Sequence, residues 1–344
     1  MLGLKIGIDL GTKNTVIYVA GKGIVLSDSS VVAFDEEYKN IIAMGKDAEK
    51  MLEKNPETVK VVCPLRDGVV SDIAITEKML TYYLKKLCRF RIFKPSVIVC
   101  TPSDVTSLEK RTLLDAITSS GAGQACVMEE PLAAIVGAGV KINEPGGVLV
   151  ADVGGGTTDV AVVTMGNIAI SNSIKIAGNA MDEAIQRYVR RERDILIGLS
   201  TAEGLKKTIG CAFLPTEEIA VIAKGKNFFG GMPVSFEITS TEIYFALKEQ
   251  TEAIAEAIRE TLEVTPPELV ADIYSRGLVL TGGGAKLFGF DKMLSERLKM
   301  RVVLADEPEN CVARGIGYGL THLEFLKNNG YVFTPREGDN SLGK

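Results

Sequence analysis

Two apolar runs in this chain end in the pattern Asp-x-Gly and then reverse direction within a few residues. The first is IGIDLGTKNTVIYV, with Asp9, Gly11, Thr12, Lys13, Asn14 and Thr15. The second is LVADVGGGTTDVAVV, with Asp152, Gly154, Gly155, Gly156, Thr157, Thr158 and Asp159. The residues flanking each turn are β-branched and no helical period follows, so each segment reads as strand, tight turn, strand. Glycines let a backbone close around an anion and aim its N–H groups at the oxygens, while hydroxyls add donors. An aspartate beside such a turn suits Mg²⁺ held through its waters. An ordinary glycine-turn hairpin has the same local pattern. The repeated Asp-x-Gly opening, with a third cluster at Gly282, Gly283 and Gly284, favours phosphate binding. It predicts a duplicated architecture holding one nucleotide between two similar domains.

The strand after each glycine turn excludes the competing phosphate motifs. A dinucleotide fingerprint or a P-loop needs a helix immediately after the turn. No Gly-Lys-Ser/Thr occurs either, and Gly45-Lys46 precedes Asp47. The 344 residues suffice for about two domains. Apolar content of 46% and charged content of 24% fit a soluble globular chain, and the net charge of −5 argues against nucleic acid as a partner. The six cysteines form no CxxC pair, and His322 is the single histidine, which disfavours zinc and His-dependent nucleophilic catalysis. The cysteines read as reduced core residues of a cytoplasmic protein. The first strand starts by residue 5, so no signal peptide is expected, and no apolar run approaches the roughly 18 residues of a membrane span.

Along the chain, runs at 4–10, 14–20 and 23–34 predict an antiparallel meander. A helix is expected at 72–89, with Ile73, Leu80, Leu84 and Leu87 on one face, then a strand at 96–101, a helix at 105–120 and a strand at 125–129. Pro131 marks another helix start. The pattern restarts at Gly147 with a second meander to about 176. Helices are then expected at 180–195, 201–208 and 241–263, with a polar insert near 211–240. A strand at 277–283 and a final helix at 311–327 come next, ahead of a frayed tail from 331. A meander plus helices, twice over, predicts tandem α/β domains.

With the Glu-Glu-Pro-Leu-Ala-Ala segment at 129–134 and the Leu-Thr-Gly-Gly-Gly turn, the two hairpins resemble the phosphate 1, phosphate 2, connect 1 and adenosine motifs of the actin-like ATPase superfamily. Val312 to Gly317 then resembles connect 2. PLRDGVVSD (64–72), IAGNAMDEAI (176–185) and TPPELVADI (265–273) look specifically like the MreB family, and the resemblance runs from about residue 4 to 327. It implies an actin-like fold of two duplicated ribonuclease-H-like domains around a nucleotide cleft. Domain I would be 1–141 plus 312–344, with an insert at 32–71, and domain II 142–311, with an insert at 180–242. Two residues depart from the family pattern: Lys13 stands where alanine is usual and Asp159 where glutamate is expected.

The resemblance also implies roles. ATP would be held at its phosphates by Thr12, Lys13 and Asn14 with Gly155, Gly156 and Thr157. Glu203, Gly204, Leu205 and Lys206 would reach ribose and adenine, a stretch that otherwise reads as a plain charged helix. Thr281, Gly282, Gly283 and Gly284 would line the base pocket. Asp9 and Asp152 would arrange the waters of Mg²⁺. Glu130, with Thr157 beside it, would position the attacking water, and Glu129 is its rival within the pair. A carboxylate suits that task because hydrolysis needs an acceptor orienting water in line with the γ-phosphate.

Residues 89–95 (RFRIFKP), after Lys85 and Lys86, set Phe90, Ile92 and Phe93 among cations, as an anionic membrane surface requires. A loop packed on its own domain would also account for them. Relatives of MreB use an apolar loop here for membrane contact, and a filament multiplies weak contacts. The expected function is an ATP-dependent, filament-forming bacterial actin homologue with slow hydrolysis. It would assemble with itself on the inner face of the cell membrane and organise cell shape and cell-wall synthesis, with membrane proteins of that machinery as partners. An actin-fold chaperone would need a further substrate domain where this chain ends. A sugar or acetate kinase would need a catalytic aspartate.

Overall fold

The computed structural model describes residues 3–35, 37, 40–52, 54–88, 93–322, 326, 328 and 330–334. The chain divides into two compact units, Met1–Pro145 with Thr164–Ile168 and Asn310–Lys344, and Gly146–Val163 with Ala169–Glu309.

In the first unit β1 (Lys5–Leu10), β2 (Asn14–Val19) and β3 (Gly23–Ser29) form the expected meander. β4 (Val32–Asp35) leaves it, pairing instead with β5 (Ile41–Met44) and β6 (Val59–Val62) in a separate three-stranded sheet. The expected third strand therefore stops at Ser29, because Ser30 bonds back to the first glycine turn. Its N–H donates to the Lys13 carbonyl (2.9 Å) and its hydroxyl to that of Gly11 (2.6 Å). After α1 (Lys46–Glu49) and the small β7 (Leu65–Arg66)–β8 (Val69–Val70) hairpin comes α2 (Ile73–Cys88). β9 (Ser96–Thr101), α3 (Ser107–Ser119) and β10 (Gln124–Glu129) are next, and β9 and β10 join the first sheet in parallel. Thr106 and Glu109 close a capping box that fixes where α3 starts.

Alternation sorts the faces of this sheet. Ile6, Ile8, Leu10, Val97 and Val99 pack with Met79, Leu80, Tyr83 and Leu84 of α2 and Leu113 and Ile117 of α3. α4 (Glu130–Gly137) and α10 (Cys311–Thr321) pack together, and α10 also lies on β1. Of the expected helix at 311–327, α10 ends at Thr321 with His322 as its C-cap, and Leu326 is again helical. Thr334 covers the outer edge of β10, donating from its N–H to the Ala125 carbonyl (2.8 Å) and accepting the Ala125 N–H on Oγ1 (2.9 Å). Pairing of this kind protects a sheet edge.

The second unit repeats the plan. β11 (Val148–Val153), β12 (Thr158–Thr164) and β13 (Asn167–Ile174) form a meander, and β17 (Leu278–Thr281) and β18 (Val302–Leu304) extend it in parallel from β11. Both sheets thus place the first strand centrally, with two antiparallel neighbours on one side and two parallel ones on the other. α5 (Gly178–Arg193), α6 (Leu199–Ile209), α7 (Ser240–Glu263), α8 (Pro267–Arg276) and α9 (Phe290–Leu298) complete the unit. Its core joins Leu149, Ala151 and Val153 to Met181, Ile185 and Val189 of α5 and Leu247, Ile254 and Ile258 of α7. The polar insert expected near 211–240 is ordered: β15 (Ala220–Asn227) and β16 (Pro233–Thr239) form a hairpin joined to β14 (Ile195–Leu196).

The α4–α10 contact depends on two glycines. A Cβ on Gly315 would lie 1.8 Å from the Ala133 carbonyl oxygen, and one on Gly137 would lie 1.7 Å from that of Cys311. Backbone blocks both positions, so Gly315→Ala should force the helices apart and destabilise the protein by about 1–3 kcal/mol or more. Urea denaturation of the variant checks this; an unchanged midpoint would refute the close approach.

Candidate functional site

Both glycine turns close in the same way. Gly11 N–H donates to the Asn14 carbonyl (3.1 Å), and Gly154 N–H to that of Thr157 (2.9 Å). Each lies at the end of the central strand of its sheet, so the two loops occupy corresponding places in two similarly folded units.

What fixes each loop is the capture of its carbonyls. In the first, Ser30 takes those of Gly11 and Lys13. In the second, the first turn of α5 takes them: Gly178 N–H donates to Gly154 O (3.2 Å) and Asn179 N–H to Gly155 O (2.8 Å). In a trans peptide the C=O and the following N–H point in opposite directions. The N–H groups of Thr12 and Asn14 are therefore turned away from Ser30, and those of Gly155 and Gly156 away from α5. Convergent N–H groups of this kind make an anion-binding nest.

Side chains equip the first loop further. Thr12 Oγ1 accepts the Gly68 N–H (2.8 Å) from the β7–β8 hairpin, which leaves its own proton to give. Lys13 Nζ lies 3.6 Å from Glu49 Oε1, both side chains being partly exposed. Such a half-exposed pair contributes little by itself.

Beside the second loop, Asp152 faces Asp159 across the β11–β12 pair, and both are buried. Burial, opposed by the hydrogen bond from Thr281 Oγ1 (2.6 Å) and aided by the Asp159 charge, pushes the Asp152 carboxyl up to about 7. Two buried carboxylates in register are a donor set that a cation would relieve, so the residues fit a hydrated Mg²⁺. Among the described residues no group of three or more His, Cys, Asp or Glu could ligate a metal directly. Thr157 is buried at the turn. Gly282, with φ of 86°, leads from β17 into the one-turn helix Gly283–Lys286, and a Cβ on it would lie 2.3 Å from Val153 O. Thr281 thereby serves Asp152 through its side chain.

The paired glutamates separate cleanly. Glu129 ends β10, and its carboxylate accepts Lys110 Nζ (2.7 Å) and the Tyr331 hydroxyl. Burial works against its charge, but these hydrogen bonds and the Lys110 charge outweigh it and hold the carboxyl below its usual range. Glu130 opens α4, next to Pro131, and is only 8% exposed.

On α6, Glu203 pairs with Lys207 (2.8 Å), Gly204 has open space where a Cβ would stand, and Leu205 packs in the hydrophobic core. Lys206 is half-buried and bonds Asp182 and the Gly178 carbonyl. Phe93 is 51% exposed, and Lys85 and Lys86 lie at the end of α2; Phe90 and Ile92 lie outside the described residues. Sequence reading does not single out Ser30, Gly68 or Asp182. Asp182 sits within the IAGNAMDEAI segment and Gly68 within PLRDGVVSD, whereas Ser30 lies in none of the quoted motifs.

The family model described as MreB/Mbl protein matches residues 3–328. The cell shape-determining protein Mbl of Bacillus subtilis is 42% identical over 327 residues, covering 95% of this chain and 98% of that protein. The cell shape-determining protein MreB of Escherichia coli K12 is 42% identical over 330 residues, covering 94% and 95%. The crystal structure of MreB5 of Spiroplasma citri bound to ADP superposes with a TM-score of 0.90 at 35% identity, covering 95% of this chain and 99% of that one. The same protein bound to AMPPNP gives 0.91. The fold is that of the actin-like ATPases, and the chain belongs to the MreB/Mbl family.

Proposed function

We propose that this chain is an ATP-dependent, filament-forming cytoskeletal protein that assembles with itself on the inner face of the cell membrane and organises cell shape and cell-wall synthesis. Residues 1–141 and 312–344 form one actin-like domain, and 142–311 the other. The observation that carries the reading is the pair of glycine turns with captured carbonyls at corresponding places in two like-folded units. A fold alone does not fix function. The site chemistry and the ADP and AMPPNP in the MreB5 structures support nucleotide binding, and relatives described as cell shape-determining support the cellular role.

In this reading the loops bearing Thr12, Lys13, Asn14, Gly155, Gly156 and Thr157 bind the phosphates, and Thr281 to Gly284 with Glu203, Gly204 and Leu205 of α6 receive the nucleoside. Asp9 and Asp152 hold the waters of Mg²⁺, which when bound neutralises phosphate charge. Glu130 orients the attacking water and accepts its proton, aided by Thr157. Glu129 is committed to Lys110 and Tyr331, and the motif match favours Glu130, next to Pro131, for that task. Hydrolysis is slow and coupled to the polymer state. The sequence RFRIFKP gives the chain a lipid-facing loop, and the exposure of Phe93, Lys85 and Lys86 favours contact with an anionic membrane. Cell-wall membrane proteins are further partners.

Glu130→Ala should bind ATP as the wild type does and hydrolyse it about 10²- to 10⁴-fold more slowly, the usual loss on removing a positioned base. Single-turnover phosphate release measures this, and an unchanged rate would remove Glu130 from the mechanism.

Asp152→Ala should abolish most of the Mg²⁺ dependence of nucleotide affinity, since alanine cannot order the metal's waters. Titrations with and without Mg²⁺ that match the wild type would sink the metal role.

Replacing Ile92 and Phe93 by serine should release the protein from anionic liposomes while ATP-dependent polymers still pellet. Burying two such side chains is worth about 3–6 kcal/mol at most. Nearby cations add roughly 1 kcal/mol each at an anionic surface. Flotation of the double variant at wild-type levels would place lipid contact elsewhere.

A further inference from the structure

One cation near the second glycine loop is used in a way the motif match does not anticipate. Lys206 projects from α6 and is 14% exposed, and Asp182 on α5 is 5% exposed. The ammonium lies 2.7 Å from Asp182 Oδ1 and donates to the Gly178 carbonyl at 2.6 Å. Gly178 is the first residue of α5, whose N-cap, Ala177, offers no side-chain hydrogen bond. The helix therefore begins without a conventional cap, and its first N–H groups are spent on the carbonyls of Gly154 and Gly155. The second glycine loop is itself the cap of α5. Thr158 Oγ1, donating to the Ile176 carbonyl at 2.7 Å, ties the approach to the helix to the strand after the loop.

A half-buried ammonium at a helix N-terminus is electrostatically misplaced, because the helix dipole already puts positive charge there. Withdrawing it from water is costly unless a carboxylate compensates. Asp182 supplies that carboxylate from the same helix, one turn further on. A pair assembled at such a cost is weak evidence for stability, but it fixes geometry: α6, the start of α5 and the glycine loop are linked through one nitrogen.

We propose that Lys206 is a positioning residue for the phosphate end of the nucleotide site. Through Asp182 and the Gly178 carbonyl it locks the start of α5 against Gly154 and Gly155, so that the Gly155 and Gly156 N–H groups are held in register for a phosphate. This rests on the nucleotide-binding reading and departs from the ribose-and-adenine role the family resemblance implies for Lys206. Its consequence is a mechanical link: α6, which also carries Glu203 and Gly204, sets the loop that meets the phosphates.

The two roles predict different ligand dependence. A ribose or adenine contact serves AMP, ADP and ATP alike, whereas a phosphate-loop clamp serves only nucleotides long enough to reach the loop. Asp182→Asn and the apolar double variant Lys206→Met with Asp182→Leu, which leaves no orphaned charge, should each weaken ATP by about tenfold or more, as loss of a charge-assisted contact does. AMP affinity should stay within about twofold. Calorimetric titration with ATP and AMP reads this. Equal losses for both, or no loss for ATP, would overturn the clamp. Amide hydrogen exchange of Gly178 and Asn179, whose N–H groups donate to the loop carbonyls, is the second readout in nucleotide-free protein, and it should accelerate in both variants while exchange in β11 does not. Unchanged exchange at these two amides would also overturn the proposal. Failure of the wild-type protein to bind ATP at all would instead defeat the nucleotide reading, and the exchange measurement would still decide the clamp.

Discussion

The organisation of each unit turns on where the carbonyl groups of a four-residue turn are bonded. A glycine-rich turn by itself samples many conformations. Ser30 removes that freedom in the first loop and the start of α5 removes it in the second, in both cases by holding the loop carbonyls to one partner. Only then does the opposite side of each peptide plane present a fixed set of donors. The strand leading to each turn is central in its sheet and largely buried, so the turn inherits a rigid base. β4 departs from the first meander for the same reason, since Ser30 cannot both hold the loop and continue a strand.

Electrostatics in the second unit works against stability. Asp152 and Asp159 are buried in register, and burial, aided by the Asp159 charge, raises the Asp152 carboxyl to about 7. An acid whose folded-state value is raised costs stability as pH climbs above its unfolded range toward 7, because ionisation favours the unfolded chain. Sites that carry such a cost are characteristically functional. Asp159 stands where glutamate is expected for the family, and it pairs with Asp152 in the β11–β12 register.

Much of the fold is legible in the sequence where one period runs long enough. The two meanders, the helix at 72–89 and the strand at 96–101 rest on uninterrupted alternation or a clear 3.6-residue stripe, and they stand in the structure as β1–β3, β11–β13, α2 and β9. α8 and α9 escape because ten and nine residues give barely two repeats of a helical stripe. β15 and β16 hide within an apparent polar insert, since Ala223 is the one buried residue of the first and most other side chains of the pair reach solvent. The final helix is interrupted at His322, which caps α10, while Leu326 and Asn328 are again helical. The glycines and their flanking aspartates are plain. The partners that orient them, Ser30, Gly68, Gly178 and Asp182, act across gaps in sequence that only the tertiary fold closes.

The adjacent glutamates show how one step along the backbone can send two carboxylates into different surroundings. Glu129 is the last residue of a strand, so its side chain leaves on a face set by the pleat, where α3 supplies Lys110 and the C-terminal segment supplies Tyr331. Its depressed carboxyl keeps those contacts charged through the neutral range, and they would weaken only in acid as pH falls below the ordinary glutamate range. Glu130 is the first residue of a helix, where the rotation per residue changes and the side chain leaves in a different direction. The strand-to-helix switch, enforced by Pro131 one residue later, is what separates the two carboxylates. Pinning Glu129 on both sides removes slack from the peptide that carries Glu130. A residue with no contact to a nucleotide can thus limit how far its neighbour strays, and the C-terminal segment, through Tyr331, becomes part of what orders the start of α4.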